Sequence, residues 1–263
     1  MLKKEKDEKG ILRVTLCDFS NKNALSNEMI QKLISVINMS NSDESIKVII
    51  IAAEGDVFCS GHNLKEIKKA RNNNDEGKSF FDELYKSCSS LMQLIVNCKK
   101  PVIAEVNGIA TAAGCQLVAS CDLAISSEKS KFATPGVNIG LFCSTPMVAL
   151  SRNVNKKDAM KMLLTGEMID AKEAKRISLI NDYVSEDKLK DSVMELAKKI
   201  SEKSSKILKI GKEAFYKQSY MHLSDAYEFT SEIMTENTLE NDAIEGISAF
   251  LEKRDANWDE NNE

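Results

Sequence analysis

Two short segments carry the residue types best suited to chemistry. In the first, Val57-Phe-Cys-Ser-Gly-His-Asn-Leu64, an apolar run ends in small residues just before a helix-like stretch. In the second, Asn107-Gly-Ile-Ala-Thr-Ala-Ala-Gly-Cys-Gln-Leu117, a strand-like run stops at Gly108 and small residues lead into a helix near Ala113. Each is a strand-to-helix junction, where the first backbone N–H groups have no intrahelical partner and small side chains let a ligand approach. Two such N–H groups aimed at one point would polarise a carbonyl and hold the oxyanion formed from it. The dipole of the helix behind them would add to that site. Tight helix–strand packing would call for the same small residues, but two such segments in this order favour the chemical reading. Common catalytic signatures are missing: there is no phosphate-binding G-x-x-x-x-G-K-[ST], no G-x-G-x-x-G after a strand, no G-x-S-x-G and no H-E-x-x-H. Cys59 and His62 have ligand-like spacing, yet no second clustered pair supports a metal site. The other histidine, His222, precedes a helical run and reads as a surface or capping residue.

The surrounding pattern alternates strands and helices. Ile11 to Phe19 is strand-like, with Arg13 and Thr15 spaced for one face, and Lys47 to Ala53 is a β-branched run suited to burial on both faces. Leu25, Met29, Leu33, Ile34 and Ile37 recur at helical spacing after a Ser26 cap, and a second stripe runs from Phe81 to Ile95. A short charged helix is predicted from Leu64, a loop over Arg71 to Lys78, and a strand over Val102 to Val106. This alternation predicts a parallel sheet with crossover helices. Beyond about Ser144 helical patterns dominate, interrupted by the strand-like Ile177-Ser-Leu-Ile-Asn-Asp-Tyr-Val184, and Met221 to Lys253 reads as one long helix with a weak point at Gly246.

With 263 residues the chain is long enough for one large core, and 36 basic against 40 acidic residues leave a net charge of −4. That balance argues against nucleic-acid binding, and no apolar run approaches a membrane span. Seven cysteines without a C-x-x-C pair predict free thiols in a reducing compartment. Together with an opening Met1–Gly10 that lacks an apolar leader segment, they predict a cytoplasmic protein.

The two junction segments resemble the paired oxyanion loops of the enoyl-CoA hydratase/isomerase (crotonase) family. Asn21-Lys-Asn-Ala-Leu25 is similar to the family's entry to the first helix, and Glu245-Gly-Ile-Ser-Ala-Phe-Leu-Glu-Lys253 to its C-terminal signature. Phe132–Asn138 and Gly140–Pro146 resemble one branch within the family. The resemblance covers Arg13 to Trp258. It implies an α/β fold, a ββα spiral core over residues 1–200 followed by a helical region over 201–263, assembled as trimers or pairs of trimers. It also implies an acyl-CoA ligand, with CoA as part of the substrate and no separate cofactor or metal. By the same resemblance, the oxyanion donors are the backbone N–H groups of His62 and Ala113. Ala24, Ser60, Gly61 and Leu64 line the CoA path, Gly114, Gly136 and Ser144 border the substrate, and Phe250 and Lys253 reach the nucleotide, usually from a neighbouring subunit.

The chain departs from the family where its hydratases carry two glutamates, having Gln116 at one position and Gly136 at the other. Gln116 can orient a water but not take its proton, and Gly136 has no side chain to offer. Ordinary hydration is therefore expected to be slow, and isomerisation is in doubt at the same Gly136. His62 is a possible substitute base, Asp122 is expected to be structural, and Cys143, beside Ser144 in an altered loop, has no histidine placed to activate it. Two readings lead: an acyl-CoA enzyme with chemistry needing little acid–base help, such as decarboxylation, or a non-catalytic acyl-CoA binder; a pure assembly protein with a dead pocket is a third, against which the open small-residue loops argue.

Overall fold

The computed structural model describes residues 1–258. Its elements, in chain order, are β1 (Leu2–Lys6), β2 (Ile11–Leu16), α1 (Asn27–Ser42), β3 (Val48–Ala53), β4 (Val57–Cys59), α2 (Leu64–Ala70), α3 (Lys78–Val96), β5 (Val102–Val106) and β6 (Ile109–Thr111). They continue with α4 (Ala113–Ser120), β7 (Leu123–Ser127), β8 (Lys131–Ala133), α5 (Pro146–Asn153), α6 (Lys156–Thr165), β9 (Ile169–Asp170), α7 (Ala171–Arg176) and β10 (Asp182–Val184). The helices α8 (Leu189–Ser201), α9 (Ser205–Gln218), α10 (Leu223–Thr238) and α11 (Asn241–Glu252) complete the chain.

A repeat organises the core. Three times a longer strand is followed by a short one and then by helix: β3–β4–α2, β5–β6–α4 and β7–β8–α5. The longer strands join a six-stranded sheet in the order β1-β2-β3-β5-β7-β10, and the short ones a second sheet in the order β4-β6-β8-β9. Within each turn of this spiral the chain passes from one sheet to the other. β3 shows why the long strands are nearly all apolar. Its Ile49 and Ile51 enter the main core, while Val48, Ile50 and Ala52 enter a second one under Leu189, Val193 and Ala197 of α8. The face that Arg13 takes is this second one, where its guanidinium grips the Glu105 carboxylate in a two-pronged pair, both side chains being largely buried. A charge buried there without that partner would be strongly destabilising.

Several helix boundaries follow from local chemistry. Ser26 caps α1 by accepting the Met29 N–H at 3.1 Å, as its position predicts. Asn155 caps α6 in the same way, and Gly166 ends that helix in the left-handed conformation. Other expectations are corrected. The C-terminal stretch is two helices, divided at Leu239–Glu240, and Gly246 lies inside α11, where its missing side chain leaves room for the Trp258 ring. In the run from Ile177 to Val184 only the last three residues form a strand; Ile177, Leu179 and Ile180 are buried in a turn instead. The charged Leu2–Lys6 segment, unremarkable in sequence, pairs antiparallel with β2 as an edge strand, held by backbone bonds rather than burial.

Candidate functional site

The short sheet brings the two small-residue segments together. β4 and β6 are parallel neighbours, Val57 opposite Ile109 and Cys59 opposite Ala110. Two parallel neighbours end on the same side, so the Ser60–Asn63 turn before α2 lies beside the Ala112 turn before α4. Thr111 Oγ1 donates to the Ser60 carbonyl at 3.2 Å and ties the two turns. They touch at Gly61, whose φ is +90°: a side chain there would begin 2.9 Å from Ala112 Cβ and 3.4 Å from the Ala113 nitrogen. Ala113 opens α4, so its N–H belongs to the first turn, which has no partner within the helix.

Ala112 has φ 52° and ψ −118°, a conformation that only glycine adopts freely. Strain of this kind persists only where surrounding contacts enforce it. Here they are the Ala112 N–H donating to the Ala133 carbonyl at 2.9 Å and the closeness of Gly61. Gly114 is smaller than its neighbours for a separate reason. A Cβ there would fall 2.1 Å from the Cys59 carbonyl oxygen, so Gly114 lets α4 rest directly on the backbone of β4. Gly114, expected to border the substrate, thus also meets a packing demand.

The loop before α1 closes the junction from another side. Leu25 N–H donates to the Gly61 carbonyl at 2.8 Å, and His62 Nδ1 donates to the Leu25 carbonyl at 3.2 Å. Because a carbonyl only accepts, the His62 proton sits on Nδ1 and Nε2 keeps its lone pair. Nε2 is buried without a hydrogen-bond partner among the described residues, and the ring meets Tyr85 of α3 edge-on at 5.4 Å. Burial holds the imidazole pKa below its ordinary value, outweighing the Leu25 bond, which raises it. Below a pH of about 6.5 an unfolded His62 takes a proton that the folded one refuses. Stability is therefore expected to fall as the pH drops below that point, and a His62→Asn variant should lose this part of the slope. Denaturant titrations of both proteins between pH 7.5 and 5 would check it; identical slopes would contradict the burial.

Of the other expected site residues, Ala24 is buried, Ser60 half-buried and Leu64 exposed at the start of α2, all within the same cluster of loops. Phe250 and Lys253 are not brought there within one chain. α11 packs on α10 and accepts from Ser204 through Asp242, Trp258 beyond its end donates to the Glu202 carbonyl, and Phe250 is 83% exposed. Lys253 ends α11 in the left-handed conformation.

Gln116 is 4% exposed, and its Oε1 has no hydrogen-bond partner among the described residues. Gly136 is buried in the short helical turn Pro135–Ile139, and its N–H donates to Cys143 Sγ at 3.3 Å. A Cβ on Gly136 would lie 2.7 Å from the Leu141 carbonyl oxygen and 2.9 Å from that sulfur. Neighbouring atoms thus close the space that a side chain at Gly136 would need. Cys143 itself is buried, its pKa raised by desolvation, so it is a thiol that accepts a hydrogen bond and not an activated nucleophile. Ser144 stands exposed beside it. Asp122 is structural, as expected: its carboxylate accepts from Val102 N–H at 2.7 Å, Lys212 Nζ at 2.6 Å and Tyr216 OH at 2.9 Å. Sequence reasoning missed Lys212 and Tyr216 because they lie 90 or more residues from Asp122 and carry no local pattern. No group of three or more His, Cys, Asp or Glu suited to a metal occurs among the described residues.

The enoyl-CoA hydratase/isomerase family pattern matches residues 6–261. The chain is 49% identical over 251 residues to enoyl-CoA hydratase domain-containing protein 3, mitochondrial, of Xenopus laevis, covering 95% of this chain and 84% of that protein. The crystal structure of human enoyl-CoA hydratase domain-containing protein 3 superposes with a TM-score of 0.93 at 46% identity, over 98% of this chain and 99% of that one. A Mycobacterium smegmatis enoyl-CoA hydratase structure gives 0.93 at 42% identity, over 98% of each chain. The branch resembled by residues 132–146 is thus the one these relatives represent, and the fold is the expected crotonase spiral. The frog relative and its human counterpart are both named mitochondrial, which overturns the expectation of a cytoplasmic protein. Free thiols mark a reducing environment without saying which compartment provides it. On a pattern matched from residue 6 to residue 261 and a relative at 49% identity, this chain belongs to the enoyl-CoA hydratase/isomerase family.

Proposed function

We propose that the chain binds an acyl-CoA thioester, its carbonyl oxygen held by the backbone N–H groups of His62 and Ala113. The observation that carries this is the contact of the two turns at Gly61, beside the strained Ala112 and the first turn of α4. Two fixed donors in a site of small residues stabilise an enolate or a tetrahedral anion without rearranging as the charge develops. On this reading the CoA lies along Ala24, Ser60, Gly61 and Leu64. Phe250 and Lys253 meet the nucleotide from a neighbouring copy in a trimer or pair of trimers. The exposed apolar residues of α10 and α11, among them Tyr227, Met234, Ile247 and Leu251, suit such an interface.

The reaction favoured is one in which the anion forms with little proton transfer by the protein, with His62 the nearest side chain able to serve as a base. A non-catalytic acyl-CoA binder is the second reading, favoured by the closed space at Gly136. Turnover of any acyl-CoA separates the two.

An acyl-CoA at about 100 times its Kd should add about 2.7 kcal/mol of stability, readily seen as a thermal shift. Lys253 offers a sharper form of this experiment. Glycine suits its left-handed position, so Lys253→Gly removes the charge without harming the helix end. The variant should fold as well as the parent, bind CoA esters more weakly and bind pantetheine thioesters unchanged. Equal loss for both ligands would remove the phosphate contact, and no shift with any CoA ester would remove the function.

A further inference from the structure

Gln116 and Ser120, one turn apart on α4, border a cavity of about 820 Å³. It is bordered by the C-terminal end of α3, by α5 and by α9, opens to solvent, and has the volume of a small-molecule site. Helical side chains lean toward the helix N-terminus, so the Gln116 amide reaches back toward the Ala113 turn. On the acyl-CoA reading, the cavity thus begins one turn of α4 beyond the Ala113 N–H. Met92, Val96, Val148 and Ala149 give it apolar walls.

Its exposed rim has a different character. Lys99, Arg152, Lys209 and Lys217 stand around it with Glu213 as the one carboxylate in the lining. Lys212, also in the lining, is already neutralised by Asp122. Setting that pair aside, four cations against one carboxylate leave an excess of three positive charges. Arg152 is held in place by Tyr220 OH at 2.8 Å and the Val148 carbonyl at 2.9 Å, both neutral, and Lys217 lies 4.6 Å from the centre of the Phe229 ring. An apolar passage ending in surplus cations is the complement of a chain with an apolar middle and an anionic end.

We propose that this cavity takes the acyl chain of a CoA thioester whose far end is a carboxylate, that is, a mono-CoA ester of a dicarboxylic acid. This deepens the acyl-CoA reading above and rests on it. A plain alkyl chain would fill the walls but leave the rim charges without a counterpart.

The test compares matched pairs by calorimetry on the full chain: hexanoyl- with adipoyl-CoA, and octanoyl- with suberoyl-CoA. At one length at least, the dicarboxylic ester should bind ten times more tightly or better, by a margin that shrinks as salt is raised. In the double variant Arg152→Gln, Lys209→Gln the ratio should fall to within about twofold. Equal affinities at both lengths, or a preference that survives the double variant, would overturn the proposal and leave the acyl-CoA reading standing. Failure of all four esters to bind would overturn both.

Discussion

Hydration of a short enoyl-CoA is expected to run several orders of magnitude below the rate of a family hydratase that carries both glutamates. Water must lose a proton while carbon gains one, and each positioned acid or base contributes typically about 10²–10⁴-fold. Gln116 can do neither and Gly136 has no side chain. On the proposed binding mode, binding should persist, because backbone donors at His62 and Ala113 would not depend on those side chains. Gln116→Glu should raise the rate at least about tenfold, since its buried, unpartnered Oε1 shows room for an acceptor that a proton could join. On sequence alone, adding Gly136→Glu should raise it further. The structure reverses that expectation: the new Cβ would press on the Leu141 carbonyl and on Cys143, so the double variant should be less stable and no faster than Gln116→Glu. Steady-state hydration rates of the three proteins, with their melting temperatures, decide the matter. Rapid hydration by the unaltered chain would sink the account and point to His62 as a working base.

Gly114→Ala should cost more stability than any other single methyl group added at a glycine inside α4, α9 or α11. The methyl would arrive 2.1 Å from the Cys59 carbonyl oxygen, and that oxygen belongs to a strand that is itself paired with β6. Nothing flexible is available to move. Overpacking costs typically about 1–3 kcal/mol, and backbone on both sides puts this case at or above the upper end, a fall in Tm on the order of 5–10 °C. Gly211→Ala is the control. Gly211 sits in the middle of α9 with nothing within 4 Å of the added methyl, so the change should stabilise by about 0.5–1 kcal/mol. An unchanged Tm in Gly114→Ala would contradict the direct seating of α4 on β4.

What was legible in the sequence was whatever repeats or stands in a local run. β3 and β5 announce themselves as apolar stretches because both of their faces are buried, and α1 does so through its stripe and its Ser26 cap. The junctions were legible as small residues, but not the different reasons for them. Gly61 has a backbone conformation and a close approach to satisfy, Gly114 only a close approach, and Ala112 takes a strained conformation that its identity does not advertise. The lining of the cavity from α9 was hidden, since helix packing joins residues about 90 positions apart without leaving a pattern in either. The edge strand β1 was hidden for the opposite reason: its contribution is backbone pairing, to which side-chain periodicity is blind.

The exposed apolar faces of α10 and α11 also bear on the order in which the molecule is made. Every strand of both sheets precedes residue 185, whereas these faces lie beyond residue 220. During synthesis at about 5–20 residues per second, the sheets are complete some seconds before the adhesive helices emerge. That exposed apolar surface thus leaves the ribosome after every strand of both sheets. In a rearranged chain with α10 and α11 ahead of β1, the same surface would be exposed before any strand could pair.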